Sequence, residues 1–342
     1  MTEHDHDVER YYSVDSTAAV QQKRKRGWLV WLLIVAGILV LALLVATLGR
    51  NYLNKDTYSP KGPYIGVLFV EGSITSSNID SWGIPFGYQH QFTLAKIDSL
   101  IDDSDNKGLI LYVDSPGGGI YESDELYLKL VEYKELTGRP VYSYMGSMAA
   151  SGGYYVSAPA DKIIANRNCW TGSIGVTIGT IVDISGFLER YGIKSVTITS
   201  GENKAIGGMM EPMTEEQIAI LQALVDEAYE QFVTIVAEER GIDLAYAKEI
   251  SDGRIYTASQ ALALGLIDGI GQYDDAIDDM QVAYDLTDSE VVEFHYRSNS
   301  LLGRLLSNMD LPTLPGSEAS AVLSLIEDDM DFPISYLSPL LD

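Results

Sequence analysis

The chain has 342 residues and is 46% apolar, enough to bury a sizeable core as one large domain or two small ones, so disorder throughout is excluded. A formal charge of −26, from 23 Lys and Arg against 49 Asp and Glu, argues against nucleic acid as a partner, because phosphate-backbone binding draws on clustered cations that displace counterions. Cys169 is the only cysteine, which rules out an intrachain disulfide and a cysteine-based metal cluster; neither a metal site nor a cofactor is expected.

In chain order, residues 1–27 read as a cytoplasmic tail. Its His4 and His6 could bind a metal weakly, but a short acidic tail that happens to contain histidine is the favoured reading. Residues 28–48, WLVWLLIVAGILVLALLVATL, carry no charge and can cross a hydrocarbon core of about 30 Å as a helix. KRKRG stands directly before this run and a lone Arg50 directly after it, an asymmetry that keeps the N-terminus in the cytoplasm and the rest outside. The run exceeds the apolar core of a cleavable signal and no small-x-small site follows. An uncleaved single-pass anchor in the cell membrane is therefore expected. Residues 49–63, polar and with two prolines, form the linker. Beyond residue 50 there are 17 Lys and Arg against 44 Asp and Glu, so anionic headgroups would repel the outer part and the helix alone holds it at the membrane.

From residue 64 short apolar runs alternate with longer ones of helical spacing. YIGVLFVEG (64–72), KGLILYVDSPGGG (107–119), RPVYSYM (139–145), DKIIAN (161–166) and KSVTIT (194–199) read as strands, while 92–103 and 121–136 read as helices. The alternation predicts an α/β fold with a largely parallel sheet. A long helix is expected over 214–240, capped by Thr214 with Glu216 and Gln217 near the capping-box position and ended by Gly241; its stripe of Ile218, Leu221, Leu224, Val225, Ala228 and Phe232 reads as packing surface. LGLIDGIG (264–271) turns into a final helix at 272–286, and the domain is expected to end near residue 298. Residues 299–342, rich in prolines and acids among scattered Leu and Ile, form either a solubilising extension or a tail that docks on neighbouring subunits.

The chemistry gathers around MAASGGYYVS (148–157). A serine needs a base, a polarised carbonyl and open access before it attacks. Ala149, Ala150, Gly152 and Gly153 leave Ser151 bare. Upstream, DSPGGG (114–119) leaves a strand and enters a helix, so its amides are free to face a ligand. Gly118 and Gly152 are the candidate pair of oxyanion donors, although which of Gly117, Gly118 and Gly119 takes part is open. Loss of one such donor costs roughly 3–4 kcal/mol of barrier. A phosphate loop would want GKS or GKT, which is absent. Neither His90 nor His295 adjoins a glycine-rich turn, and His4 and His6 lie across the membrane, so a Ser-His-Asp triad is not expected. Lysine made neutral by burial is the alternative base, and Lys204 in TSGENKAIGGM is the best placed, although most lysines are solvated surface charges.

These blocks in order, VDSPGGG, MGSMAASGGYYVSAPADKIIANRNCWTGSIGV, the lysine 53 residues after the serine, and DGRIYTASQALALGLID, resemble the signal peptide peptidase A family of membrane serine peptidases over about residues 64–290. The single anchor is similar to the short, one-repeat members. The resemblance implies a ClpP/crotonase-like fold, a Ser-Lys dyad of Ser151 and Lys204, and Ser173 in TGSIGV as the hydroxyl that orients the lysine. It also implies a ring-shaped homo-oligomer with its sites inside a bowl, and peptide substrates such as signal-peptide remnants. One departure is visible, since the family often has a YKD-like triplet where this chain has Asn203-Lys204-Ala205. Losing the neighbouring acid should help the amine stay neutral. Two rivals stand beside an endopeptidase: a non-catalytic membrane scaffold, and crotonase-type acyl-CoA chemistry, which an extracytoplasmic address disfavours.

Overall fold

The computed structural model describes residues 60, 62–79, 85–296 and 335–337, together with residues 31, 35 and 37. The chain divides into two units, 1–59 and 60–342. Trp31, Val35 and Gly37 are helical, but most of the anticipated anchor lies outside the described residues, as does the tail apart from 335–337. Among the described residues no helix is long and apolar enough to cross a membrane.

The second unit is α/β. Strand β1 (Tyr64–Glu71) leads through helix α1 (His90–Asp102) to β2 (Asn106–Ser115), the three-residue β3 (Gly117–Gly119) and helix α2 (Ile120–Thr137). Next come β4 (Val141–Ala150), α3 (Gly152–Ser157), β5 (Lys162–Ala165), β6 (Trp170–Gly172) and α4 (Ser185–Arg190). The chain continues with α5 (Glu215–Arg240), α6 (Leu244–Glu249), β7 (Ile255–Thr257), α7 (Ala258–Ala263), β8 (Gly269–Ile270), α8 (Tyr273–Ala283) and β9 (Glu290–Phe294). A last strand, β10 (Ser335–Leu337), lies apart in sequence.

Eight strands form one sheet in the order β7-β6-β4-β2-β1-β9, with β5 beside β4 and β8 beside β5. Its pairs are parallel except β6 with β7. Strand β4 forks: Tyr142 to Met145 pair with β5, whereas Met148 to Ala150 pair with β6. Both faces of the sheet are covered, which is why its central strands are apolar nearly throughout. In β1, Tyr64, Leu68 and Val70 join one buried cluster with residues of α1, α2 and α3, while Ile65 and Val67 point the other way against Ala276 and Met280 of α8. Each fully buried side chain of this size contributes about 1.5–3 kcal/mol.

Helix α5 begins with the anticipated capping box, Thr214 with Gln217, and stops at Gly241, whose φ of 62° suits glycine. Only its second half is packed. Phe232, Val233 and Val236 are buried, whereas Ile218 and Leu224 of the expected packing stripe are exposed. KSVTIT is not a strand: residues 194–199 have no regular structure and pair with no strand among the described residues, and Val196 and Ile198 are 82% and 92% exposed. Its β-branched composition favours a pleated, half-buried surface, and the described residues of one chain offer it none.

Candidate active site

The path to Ser151 is set by a bulge. Val113 of β2 faces Met145 of β4, but Ser115 faces Ala149, so β4 carries extra residues over 146–148. The carboxylate of Asp114 holds them, accepting hydrogen bonds from Ser147 Oγ at 2.6 Å and from the Met148 amide at 3.0 Å. Strand β4 then ends, and Ser151 sits on the turn into α3 with φ 54° and ψ −118°. A side chain at such a backbone conformation costs of order 1–3 kcal/mol and persists only where the surroundings over-determine it. Here the Ser151 amide donates to Gly172 O at 2.8 Å, and its carbonyl accepts from the amides of Tyr154 and Tyr155 at 2.9 Å. Ser151 is 1% exposed.

Beside it lies β3. Ile74 forms an isolated bridge to Gly118, donating its amide to Gly117 O and accepting from the Gly119 amide, both at 2.8 Å. The Gly117 amide donates to Ser115 Oγ at 3.1 Å. Successive peptide groups of a strand face opposite edges, so the Gly118 N–H turns away from Ile74. Of the three glycines, Gly118 alone thus has an amide free of these two internal bonds. A side chain is impossible there, since a β-carbon on Gly118 would lie 2.0 Å from Ile74 O. One on Gly152 would lie 3.1 Å from the Gly118 nitrogen and 2.6 Å from Ser123 Oγ, so the two glycines are close neighbours with no room for a side chain between them. Along the edge of β3 away from Ile74, β10 runs antiparallel, with Tyr336 opposite Gly118.

A cavity of about 430 Å³ opens at Ser151 and Ser173, walled by Val176, Val225, Tyr229 and Ser251 among others. Ser173 has φ 48° and is tied to the 251–254 turn by its amide, which donates to Arg254 O at 2.8 Å. Lys248 reaches one end of the cavity, paired with Glu230 at 2.7 Å. Ser151, Ser173, Gly118 and Gly152 are therefore gathered within one chain. Lys204 is not among the cavity-lining residues; it is exposed, in a turn tied to α5 by Gln217 Nε2 donating to Glu202 O at 3.1 Å.

Some features were invisible to sequence reasoning. The Ser251 hydroxyl is buried, lines the cavity and has no hydrogen-bond partner among the described residues; the Ser123 hydroxyl beside Gly152 also lacks one. Neither could be found before folding, because an unsatisfied hydroxyl is a property of its surroundings. His90 is buried between Tyr88 Oη and Glu125, each at 2.7 Å, and is not among the cavity-lining residues. Burial, and then Asp114, pushes the Cys169 thiol up to about 12, which leaves it unreactive.

A buried serine on a strained strand-to-helix turn, flanked by glycine amides and an open cavity, defines the class of a serine hydrolase. Comparison with known proteins sharpens this. The sequence pattern of peptidase family S49 matches residues 134–287. An Enterococcus faecium protein named as a candidate signal peptide peptidase SppA is 35% identical over 303 residues, covering 85% of this chain and 87% of that one. Protease 4 of Salmonella typhi is 32% identical over 224 residues, covering 66% of this chain and 35% of the relative. Among solved structures, the membrane-bound stomatin-specific protease 1510-N is a remote likeness at 16% identity and a TM-score of 0.44, covering 70% of this chain and 100% of that one. The chain belongs to the signal peptide peptidase A family, peptidase family S49, and is a serine peptidase.

Proposed function

We propose that this chain is a membrane-anchored endopeptidase with a Ser-Lys dyad and a ClpP/crotonase-like fold, cutting remnant signal peptides or other short, unfolded, apolar segments outside the cytoplasm. Ser151 Oγ bonds to the scissile carbonyl carbon as its proton passes to the neutral amine of Lys204. The amides of Gly118 and Gly152 stabilise the oxyanion. Collapse breaks the C–N bond, and Lys204 gives its proton to the leaving amine. Water then attacks the acyl-serine, with Lys204 again as base; collapse breaks the bond from Ser151 Oγ to the carbonyl carbon, Lys204 returns the proton to Oγ, and the carboxylic acid product leaves. Ser173 orients the lysine.

The observation that carries this reading is the packing of Gly152 on the Gly118 amide beside a strained, buried Ser151. The tail adds support, since 335–337 already lies as an extended strand along β3, the edge a peptide substrate would use, and so competes with it. We assign Lys204 in the working site to an adjacent copy in a ring. Its exposure supports this, as do the large apolar side chains of the preceding stretch, where Phe187, Tyr191, Ile193, Val196 and Ile198 are all exposed.

A fluorophosphonate probe tests the assignment of the nucleophile. Mass spectrometry of the labelled full chain should find one adduct, on the peptide carrying Ser151, and none in Ser151→Ala. Labelling elsewhere, or equal labelling of the variant, would remove Ser151 from the mechanism.

A further inference from the structure

Strand β3 is three glycines with no side chain to anchor it, so the aim of the Gly118 N–H depends on whatever holds the strand's inner edge. That edge is Ile74, through the two hydrogen bonds given above. Ile74 is fully buried, but its neighbours Ser73 and Thr75 are only half-buried, in the stretch that leaves β1 and returns at Tyr88.

One side chain closes that excursion. Asn78 Nδ2 donates to Ser73 O at 2.9 Å and to Tyr88 O at 2.8 Å, while its Oδ1 accepts from Thr75 Oγ1 at 2.9 Å. Residues 73 and 75, immediately flanking Ile74, are thereby bound to the returning chain. The Asn78 carbonyl accepts from the Phe86 amide at 3.1 Å and from Gln89 Nε2 at 2.9 Å. The return is itself fixed, since the Tyr88 amide donates to Glu71 O at 2.8 Å and its buried ring is hydrogen-bonded to His90.

We infer that Asn78 is a positioning residue for the reaction, holding Ile74 so that β3 presents the Gly118 amide to the oxyanion. The inference rests on the reading of Gly118 as an oxyanion donor. An amide is required, because the site needs two donors and one acceptor on one planar group. A carboxylate at 78 would place oxygen against two carbonyls and loosen the turn. An amide displaced by a fraction of an ångström weakens the transition state more than the bound substrate.

The test compares the full-length wild type with Asn78→Asp and the milder Thr75→Val, using an apolar peptide substrate, the matching peptide aldehyde and the matching peptide alcohol. The aldehyde forms a tetrahedral adduct with an oxyanion; the alcohol cannot. In Asn78→Asp, kcat should fall about tenfold or more with KM changed by less than about threefold. Aldehyde affinity should fall in proportion to kcat, with alcohol affinity unchanged. Thr75→Val should move the same quantities in the same direction by less, and it decides the matter if Asn78→Asp does not fold. An unchanged kcat, or aldehyde and alcohol affinities falling together, overturns the inference. If the wild type itself binds aldehyde no better than alcohol, the oxyanion reading fails first and takes this inference with it. A wild type that discriminates, with variants that discriminate equally, overturns the role of Asn78 alone.

Discussion

Two stretches of the second unit differ sharply in how far one chain completes them. Around Ser151 the bulge is held by the Asp114 carboxylate, and the strained turn and Ser173 by backbone hydrogen bonds, all within one chain. Between residues 177 and 228 the same chain leaves most of its side chains exposed, including large apolar ones, and Lys204 lies there. In the proposed mechanism, nucleophile and oxyanion donors are thus products of folding, whereas the base is a product of assembly.

The largest effect that could break this comparison comes from the dyad. Ser151→Ala and Lys204→Ala should each lower kcat/KM by roughly 10⁴-fold or more. Co-assembled in one ring, the two inactive proteins should regain activity at up to about a quarter of the sites, because a head-to-tail interface pairs each serine with a neighbour's lysine. Peptide turnover of the mixed oligomer reads this directly, and no recovery at all would place both groups in one chain.

Next in size is Gly152→Ala. Its methyl group would press on the Gly118 nitrogen and Ser123 Oγ, so kcat should drop about 10²-fold, with a stability loss of about 1–3 kcal/mol measurable by denaturant titration. Smaller is removal of the tail from residue 299 onward, which uncovers the outer edge of β3. Turnover of a short apolar peptide should rise, mostly through a lower apparent KM of about threefold if the tail competes as a mass-action ligand. Unchanged KM would remove the tail from the site.

The smallest effect probes the packed region alone. Lys162, by hydrogen bond, holds the Asp279 carboxyl below its ordinary value of 3.8, with Tyr142 helping and burial opposing. A depressed carboxyl contributes stability that is present above the ordinary value and lost as pH falls through the depressed one. The pair is about a third exposed, so Asp279→Asn should cost less than about 1 kcal/mol at neutral pH. That difference should vanish in acid, which thermal unfolding at several pH values measures.

The same contrast explains what was legible in the sequence. The apolar runs of β1, β2, β4 and β5, the helices at 90–102 and 120–137 and the Thr214–Gln217 box are local signals, and each forms where expected, although β2 stops at Ser115, short of 119, and β4 runs on past 145 to Ala150. The serine and the glycines were legible because nucleophile chemistry demands small neighbours. Other features depend on partners distant in the chain. KSVTIT has strand composition but no strand to pair with, and β6, β7, β8 and β10 are too short to carry a period. Asp114 looked like part of a glycine turn, yet its carboxylate shapes a neighbouring strand. Asn78 and Ser251 carry no pattern, since what distinguishes them is the set of atoms brought around them.

The backbone at Ser151 has a further consequence. With φ 54° and ψ −118°, the position is one that glycine occupies without strain and serine does not. Relieved of its hydrolytic task, a lineage carrying this fold could gain robustness by a single change to glycine. Retaining the hydroxyl therefore sacrifices thermal endurance, and descendants that had drifted into pure scaffolds would be recognised by having abandoned it.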